Sequence, residues 1–306
     1  MGTPRSDAIE PRGDDIGTGD LLRDTQVESV PGMPGRYSAD LPDAWRIFYA
    51  FGGATFAVAL RAAIAAVDRA DLRLVTAEAT YCAAIPCGPL AAQVEVLRDG
   101  RRGAQAQVRL WATDDPAGPA GSDLVVTVVF GASDPASPHG FTGVPFPEDV
   151  RPPRHSGERP VVDPQSPFAN IPYHRQTDYR PAIGHAPGDP AFTEPGEART
   201  AAWFRFRRPP LAADGSWETW SLAVPGDVLG PAVSEGLGPQ DPFLIITLQL
   251  SMQFLEPMRG EFLCQHTRAH HVGDGFATGT AELWSEDHRL IALCTQSAML
   301  QPFKAG

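Results

Sequence analysis

Residues 50–67 read AFGGATFAVALRAAIAAV, a run whose single charge is Arg61. Alanine and leucine favour helix, and a helix apolar nearly all round belongs inside a fold rather than on its surface. Four strand-like runs follow it, at 72–83, 89–97, 103–113 and 123–132, each rich in valine and threonine or alternating in polarity. One buried helix followed by an antiparallel meander is therefore predicted for residues 37–131. Asp99-Gly100 marks a hairpin tip, because Asp-Gly tolerates the positive φ of a tight turn. DDPAGPAGS at 114–122 marks a looser one.

The same order recurs downstream. Strand-like runs at 201–207 and 217–223 precede a helical stretch at 227–235 that Gly230 and Pro231 shorten. Four strand-like runs then follow at 243–255, 262–272, 276–284 and 290–300. Gly273-Asp274-Gly275 and Glu286-Asp287-His288 supply turns. Pro86 and Pro257 end corresponding strands of the two halves, and the later Asp-Gly and Thr landmarks keep their order. An internal repeat of about 100 residues is predicted.

Between the halves, residues 132–198 hold 14 of the 31 prolines and few apolar runs, which predicts a crossover linker. Residues 1–36, rich in Gly, Pro and Asp, read as a disordered tail with no apolar core of a secretory signal. The second half spans 199–306. A net charge of −12 argues against nucleic-acid binding, which draws on phosphate neutralisation. No stretch of about 20 apolar residues predicts a membrane span. Lys304 is the only lysine, so neither a phosphate-loop lysine nor a Schiff-base lysine is expected. Cys82, Cys87, Cys264 and Cys294 show no paired spacing and read as buried cytosolic thiols.

A helix wrapped by an antiparallel sheet, twice in one chain, is an α+β double hot dog. Several motifs carry a resemblance to the acyl-CoA thioesterase II family. Phe51-Gly52-Gly53 resembles the start of its central helix. Val94-Glu-Val-Leu-Arg-Asp-Gly100 resembles its first hairpin, and Asp178-Tyr-Arg-Pro181 with Trp203 to Arg205 its entry to the second half. Gly226-Asp227 resembles the polar pair that opens its second helix. Leu250-Ser-Met-Gln-Phe254 and Cys294-Thr-Gln-Ser297 resemble its site-bearing strands. The similarity covers residues 38–131 and 173–303.

The resemblance implies hydrolysis of a fatty acyl-CoA by an oriented water, without cofactor or metal, in a cytoplasmic protein that self-associates. It also implies an Asp, a hydroxyl residue and a Gln converging between the halves. A carboxylate can deprotonate the water, and amides and helix-start N–H groups can hold the oxyanion. The Gln falls on Gln296. Counting eight residues back from Pro257 places the Asp position on Gln249, which implies a divergent site. The hydroxyl position falls near Ala269 or His270, with Thr267 as the nearest hydroxyl. The same count from Pro86 reaches Glu78, a carboxylate in an otherwise uncharged run, which makes Glu78 a replacement candidate. His270 is a further candidate base. Gly52, Gly53 and Asp227 are candidate substrate-binding residues, although an Asp at a helix start is commonly a cap. Without the Asp, a non-catalytic acyl-CoA-binding protein is the alternative.

His266, His270 and His271 do not predict a metal site. In a strand His271 faces away, and the other two lie roughly 13 Å apart. Arg205, Arg207 and Arg208, and Arg98, Arg101 and Arg102, read as solvated surface or as contacts for the phosphates of coenzyme A. Trp203, Trp217 and Trp220 read as core. No GxSxG elbow, HExxH or helix-opening GxGxxG occurs, and the D-x-N-P-x-H pattern of double hot-dog hydratases is absent too.

Overall fold

A computed structural model of the chain describes residues 19–134, 136, 140–159, 169–186, 189–239 and 243–302. In chain order these form α1 (Leu21–Asp24), β1 (Glu28–Ser29), β2 (Arg36–Leu41), α2 (Gly52–Val67), β3 (Leu72–Tyr81), β4 (Gly88–Gly100), β5 (Gly103–Ala112) and β6 (Leu124–Ala132). β7 (Thr177–Ile183), β8 (Arg199–Phe206), α3 (Ala223–Gly226), α4 (Leu229–Leu237), β9 (Phe243–Phe254), β10 (Leu263–Gly273), β11 (Phe276–Ser285) and β12 (Leu290–Pro302) follow.

α2 is the helix predicted from 50–67. Its residues from Gly53 to Leu60 are buried without interruption, because the first half's sheet wraps it while α3 covers its start. The strands around it alternate as a half-buried sheet must. On β5 Ala104, Ala106, Val108 and Leu110 point inward, and on β6 Leu124, Val126, Val128 and Phe130 do the same. Many of the helix's inward residues are alanines, which let the sheet approach closely. The second half repeats the plan with α3 and α4 in place of one long helix. Leu229 and Val233 of α4 pack on Ala277 and Ala298. These features make the double hot dog.

All twelve strands join one sheet in the order β1-β2-β4-β5-β6-β3-β9-β12-β11-β10-β8-β7. The two halves meet where β3 pairs antiparallel with β9, with Glu78 opposite Ser251 and Thr80 opposite Gln249. Those four residues are two pseudo-equivalent pairs under the repeat, so the junction sits on a pseudo-twofold axis. β9 also carries a bulge. Ser297 of β12 faces Gln249, but the next residue, Ala298, faces Thr247. Leu248 is therefore the extra residue, and the alternation of β9 shifts at that point.

Four expectations need correction. The tail is not disordered through residue 36. From residue 19 onward it forms α1, β1 and the start of β2, and Leu21 is fully buried; residues 1–18 lie outside the described residues. The Pro-rich crossover contains β7, which pairs with β8, and its residues Phe146 and Val150 pack on an outer-face cluster of Trp203, Phe262 and Trp284. The run at 217–223 is not a strand. Thr219–Leu222 is a 3-10 turn leading into α3, because Trp217 and Trp220 fold inward as core anchors. In the first hairpin Gly100 pairs with Gly103, so the tip falls on Arg101 and Arg102 and not on Asp99-Gly100. A register shift between Val96 and Arg98 displaces it. The later Asp274-Gly275 turn is as predicted, with φ of 52° and 81°.

Trp203, Trp217 and Trp220 are all buried, as read from the sequence. The four cysteines are free, with Cys264 and Cys294 buried; Cys82, against expectation, is exposed. No helix among the described residues is long and apolar enough to cross a membrane.

Candidate active site

Asp227 lies in the short connection between α3 and α4. Its position is set from below. Gly226 carries no side chain where a Cβ would lie 2.7 Å from the Met252 methyl and 3.3 Å from the Cys294 sulfur. Gln265 Nε2 donates to the Pro225 carbonyl at 2.7 Å. These contacts press the end of α3 onto the sheet and aim Asp227 at the junction between the halves. Asp227 is not the N-cap of α4, a position taken by Val228.

Two side chains from the sheet converge on Oδ1 of Asp227. Thr247 Oγ1 donates to it at 2.9 Å, and Gln296 Nε2 donates at 2.6 Å. Gln296 Nε2 also donates to Thr247 Oγ1 at 2.7 Å. The orientation of the Gln296 amide is fixed because its Oε1 accepts the Leu229 N–H, at 3.1 Å. Gln296 is thus buried with both amide hydrogens and its oxygen engaged. The β9 bulge is what lets Thr247 join this group.

The other side of Asp227 faces α2 of the first half. Phe51, the N-cap residue there, offers no side-chain cap. The Asp227 carboxylate of the second half faces the Gly53 N–H instead, so a negative group of one half stands at the open helix start of the other. The approach is close. A Cβ on Gly52 would sit 2.5 Å from Asp227 Oδ2. A Cβ on Gly53 would sit 2.5 Å from the Ala223 carbonyl oxygen. Gly-Gly is the sequence that permits this contact.

Burial pushes the Asp227 carboxyl above its ordinary range. The bonds from Thr247 and Gln296 and the facing Gly53 N–H oppose that shift without cancelling it. Burial likewise raises the neighbouring Tyr81 phenol, and the Asp227 charge raises it further. A carboxylate of raised proton affinity, held by fixed donors at a helix start, can take a proton from water and return it.

The predicted site residues separate into two groups. Gln296, Asp227, Gly52 and Gly53 come together. Glu78 and Gln249 do not join them. They lie exposed on the outer face of the sheet, where Gln249 Nε2 donates to Glu78 Oε1 at 2.8 Å. Their neighbours Ala77, Ala79 and Leu250 point inward, so strand alternation sends the pair outward. His270 is also exposed and bonds Thr280 Oγ1 at 2.8 Å. Thr267 is buried in β10.

Sequence reasoning missed Thr247, which lies ten residues before Pro257 and not eight. Its signal was visible as the one hydroxyl in the run FLIITLQL, but the bulge defeats counting. Among the described residues no cluster of His, Cys, Asp or Glu is placed to hold a metal ion. His266 sits between Arg199, which donates to its Nε2 at 2.9 Å, and Glu282, 3.0 Å from its Nδ1.

Two family models match this chain in tandem. The acyl-CoA thioesterase N-terminal domain covers residues 41–131, and the acyl-CoA thioesterase C-terminal domain covers residues 147–300. The chain belongs to the acyl-CoA thioesterase family. As a member of that family it is a thioester hydrolase. The match begins within the Pro-rich crossover, in keeping with β7 being part of the second half's sheet.

Solved structures agree on the fold of this thioesterase. A hot dog fold protein from Alicyclobacillus acidocaldarius is 22% identical, with 92% of this chain and 97% of that one covered and a TM-score of 0.73. An acyl-CoA thioesterase II from Mycobacterium marinum is 17% identical, with 94% and 100% covered and a TM-score of 0.69. The dehydratase domain of RzxB from Pseudomonas fluorescens is 11% identical, with 92% and 99% covered and a TM-score of 0.55. No curated protein sequence matches the chain.

Proposed function

We propose that this thioesterase hydrolyses fatty acyl-CoA with Asp227 as general base, and with Thr247 and Gln296 holding that carboxylate in place. The observation that carries the reading is the convergence of Thr247 and Gln296 on Asp227 Oδ1 at the start of α2. An Asp, a hydroxyl residue and a Gln are the three residue types that the family resemblance implies. Here the carboxylate is Asp227, so the divergent site inferred from Gln249 is withdrawn. The binding-only alternative loses its ground with it, since that alternative rested on a missing carboxylate.

In this mechanism Asp227 takes a proton from water as the oxygen attacks the thioester carbonyl. The resulting oxyanion lies at the positive end of α2, where helix-start N–H groups and the helix dipole favour negative charge. Collapse breaks the carbon–sulfur bond, and the proton on Asp227 passes to the departing CoA thiolate. Free acid and thiol leave, and Asp227 is ionised again. The same reading includes a cytoplasmic location and self-association of the chain.

The test is release of free thiol from short, medium and long acyl-CoAs by wild type, Asp227→Asn and Gln296→Ala. Wild-type turnover that both variants lose supports the assignment. Turnover that survives in Asp227→Asn would falsify it. Size-exclusion chromatography with light scattering tests self-association.

A further inference from the structure

The hydrogen-bond geometry leaves the two oxygens of Asp227 in different situations. Oδ1 receives both side-chain donors, Thr247 and Gln296. Oδ2 points toward Gly52 and toward Tyr81, the last residue of β3. The position a Gly52 Cβ would occupy is 2.5 Å from Asp227 Oδ2 and 3.3 Å from the Tyr81 hydroxyl oxygen. The two oxygens are therefore at most 5.8 Å apart, the two distances laid end to end. One water accepts or donates over about 2.8 Å on each side, so a single water can bridge two oxygens up to about 5.6 Å apart, nearly the whole of that range.

The Tyr81 hydroxyl is oriented. It donates its hydrogen to the Gly52 carbonyl at 3.0 Å. Its oxygen thus turns lone pairs, not a proton, to its remaining neighbours. Burial and the nearby Asp227 charge keep the phenol protonated, so it stays a neutral acceptor. A water between the two groups would give one hydrogen to Asp227 Oδ2 and the other to Tyr81. Its oxygen lone pairs would then face away from both acceptors.

We propose that Tyr81 is the second anchor of the nucleophilic water, holding the hydrogen that is not abstracted while Asp227 takes the other. This rests on the thioester-hydrolase reading above and assigns the water to the Oδ2 side of Asp227. Tyr81 exchanges no proton in the step. One O–H bond of water breaks toward Asp227, one carbon–oxygen bond forms at the thioester, and the second O–H remains on the product acid.

A control separates this role from simple support of the helix. Thr55 Oγ1 donates to the same Gly52 carbonyl at 2.9 Å. If Tyr81 only secures that carbonyl, Thr55→Val and Tyr81→Phe should behave alike. If Tyr81 holds the water, only Tyr81→Phe should lower turnover.

The experiment measures kcat and KM for acyl-CoA hydrolysis by wild type, Tyr81→Phe, Thr55→Val and Asp227→Asn, with Tm recorded for each. The expected result is a kcat lowered about 10-fold or more in Tyr81→Phe. Its KM should stay within about twofold of wild type, and Thr55→Val should keep near wild-type kcat. Tyr81→Phe with wild-type kcat overturns the proposal, as does an equal fall in Thr55→Val. Either outcome leaves the hydrolase reading standing if Asp227→Asn is inactive. A wild type without turnover on any thioester overturns both.

Discussion

Gly52 of α2 and Asp227 of the α3–α4 connection approach so closely that a Cβ on Gly52 would lie 2.5 Å from Asp227 Oδ2. The two residues are 175 positions apart and come from different repeats. Their contact makes the candidate site a property of both halves together. Neither hot dog alone contains a carboxylate, its donors and the helix start that faces them.

Substitution at the Gly-Gly pair should divide function from stability. In Gly52→Ala the new methyl collides with the Asp227 carboxylate, the far end of a side chain that can swing aside. Turnover should fall at least 10-fold while the fold survives. In Gly53→Ala the methyl meets backbone instead, the Ala223 carbonyl oxygen at 2.5 Å and the Val224 Cα at 2.7 Å. Overpacking of that kind costs about 1–3 kcal/mol. Gly53→Ala should therefore lower Tm by several degrees, roughly 2–4 °C per kcal/mol for a unit of this size. Thermal melts beside thiol-release assays read both effects.

Asp227→Asn should raise stability as it removes activity. Folding raises the proton affinity of this carboxyl by burying it. Above its folded pKa the native state therefore carries a cost that the unfolded chain does not. That cost is relieved as pH falls through the folded value toward the unfolded one, where both states bind the proton. A neutral amide never incurs the cost. At pH 8 the variant should melt above wild type, and its turnover should fall by about 100-fold or more. A melting point well below wild type would contradict this electrostatic account.

The pH profile should show the same group. Asp227 acts as base only when ionised, so kcat/KM should fall on the acid side with one proton's dependence. Because burial raises the group, the midpoint should stand above the unperturbed value of 3.8. The Tyr81 phenol titrates well above its usual value, so it should impose no limb near neutrality. A profile flat down to pH 4 would remove Asp227 from the role of base.

Glu78→Gln should be silent. The carboxylate is exposed on the outer face of the sheet, where it accepts a hydrogen bond from Gln249. Substitutions at such positions usually change stability by no more than about 0.5 kcal/mol. Turnover within twofold of wild type is expected. A large loss would return the catalytic carboxylate to the place that strand counting gave it.

Much of the architecture was readable in the sequence because it rests on local periodicity. The apolar run at 50–67 could only be a buried helix, and the alternation on β5 and β6 gave inward faces that the structure keeps. Gln296 was legible as a candidate through the Cys294-Thr-Gln-Ser297 run that carries the family resemblance. Asp227 was visible as a polar residue at a helix start, but a local pattern could not separate cap from catalyst. Its Gly53 partner lies in the other half of the chain. Thr247 required the bulge at Leu248, and a bulge changes which residues point inward without leaving a compositional mark. Glu78 and Gln249 were placed by equal counts back from Pro86 and Pro257, which find matching positions in the two halves but do not say which face of the sheet those positions take, and both side chains lie on the outer face. Period and composition thus determined the two helix-and-meander repeats. The tertiary structure alone decided which side chains meet between them, because that depends on the β3–β9 register and on contacts between residues far apart in the chain.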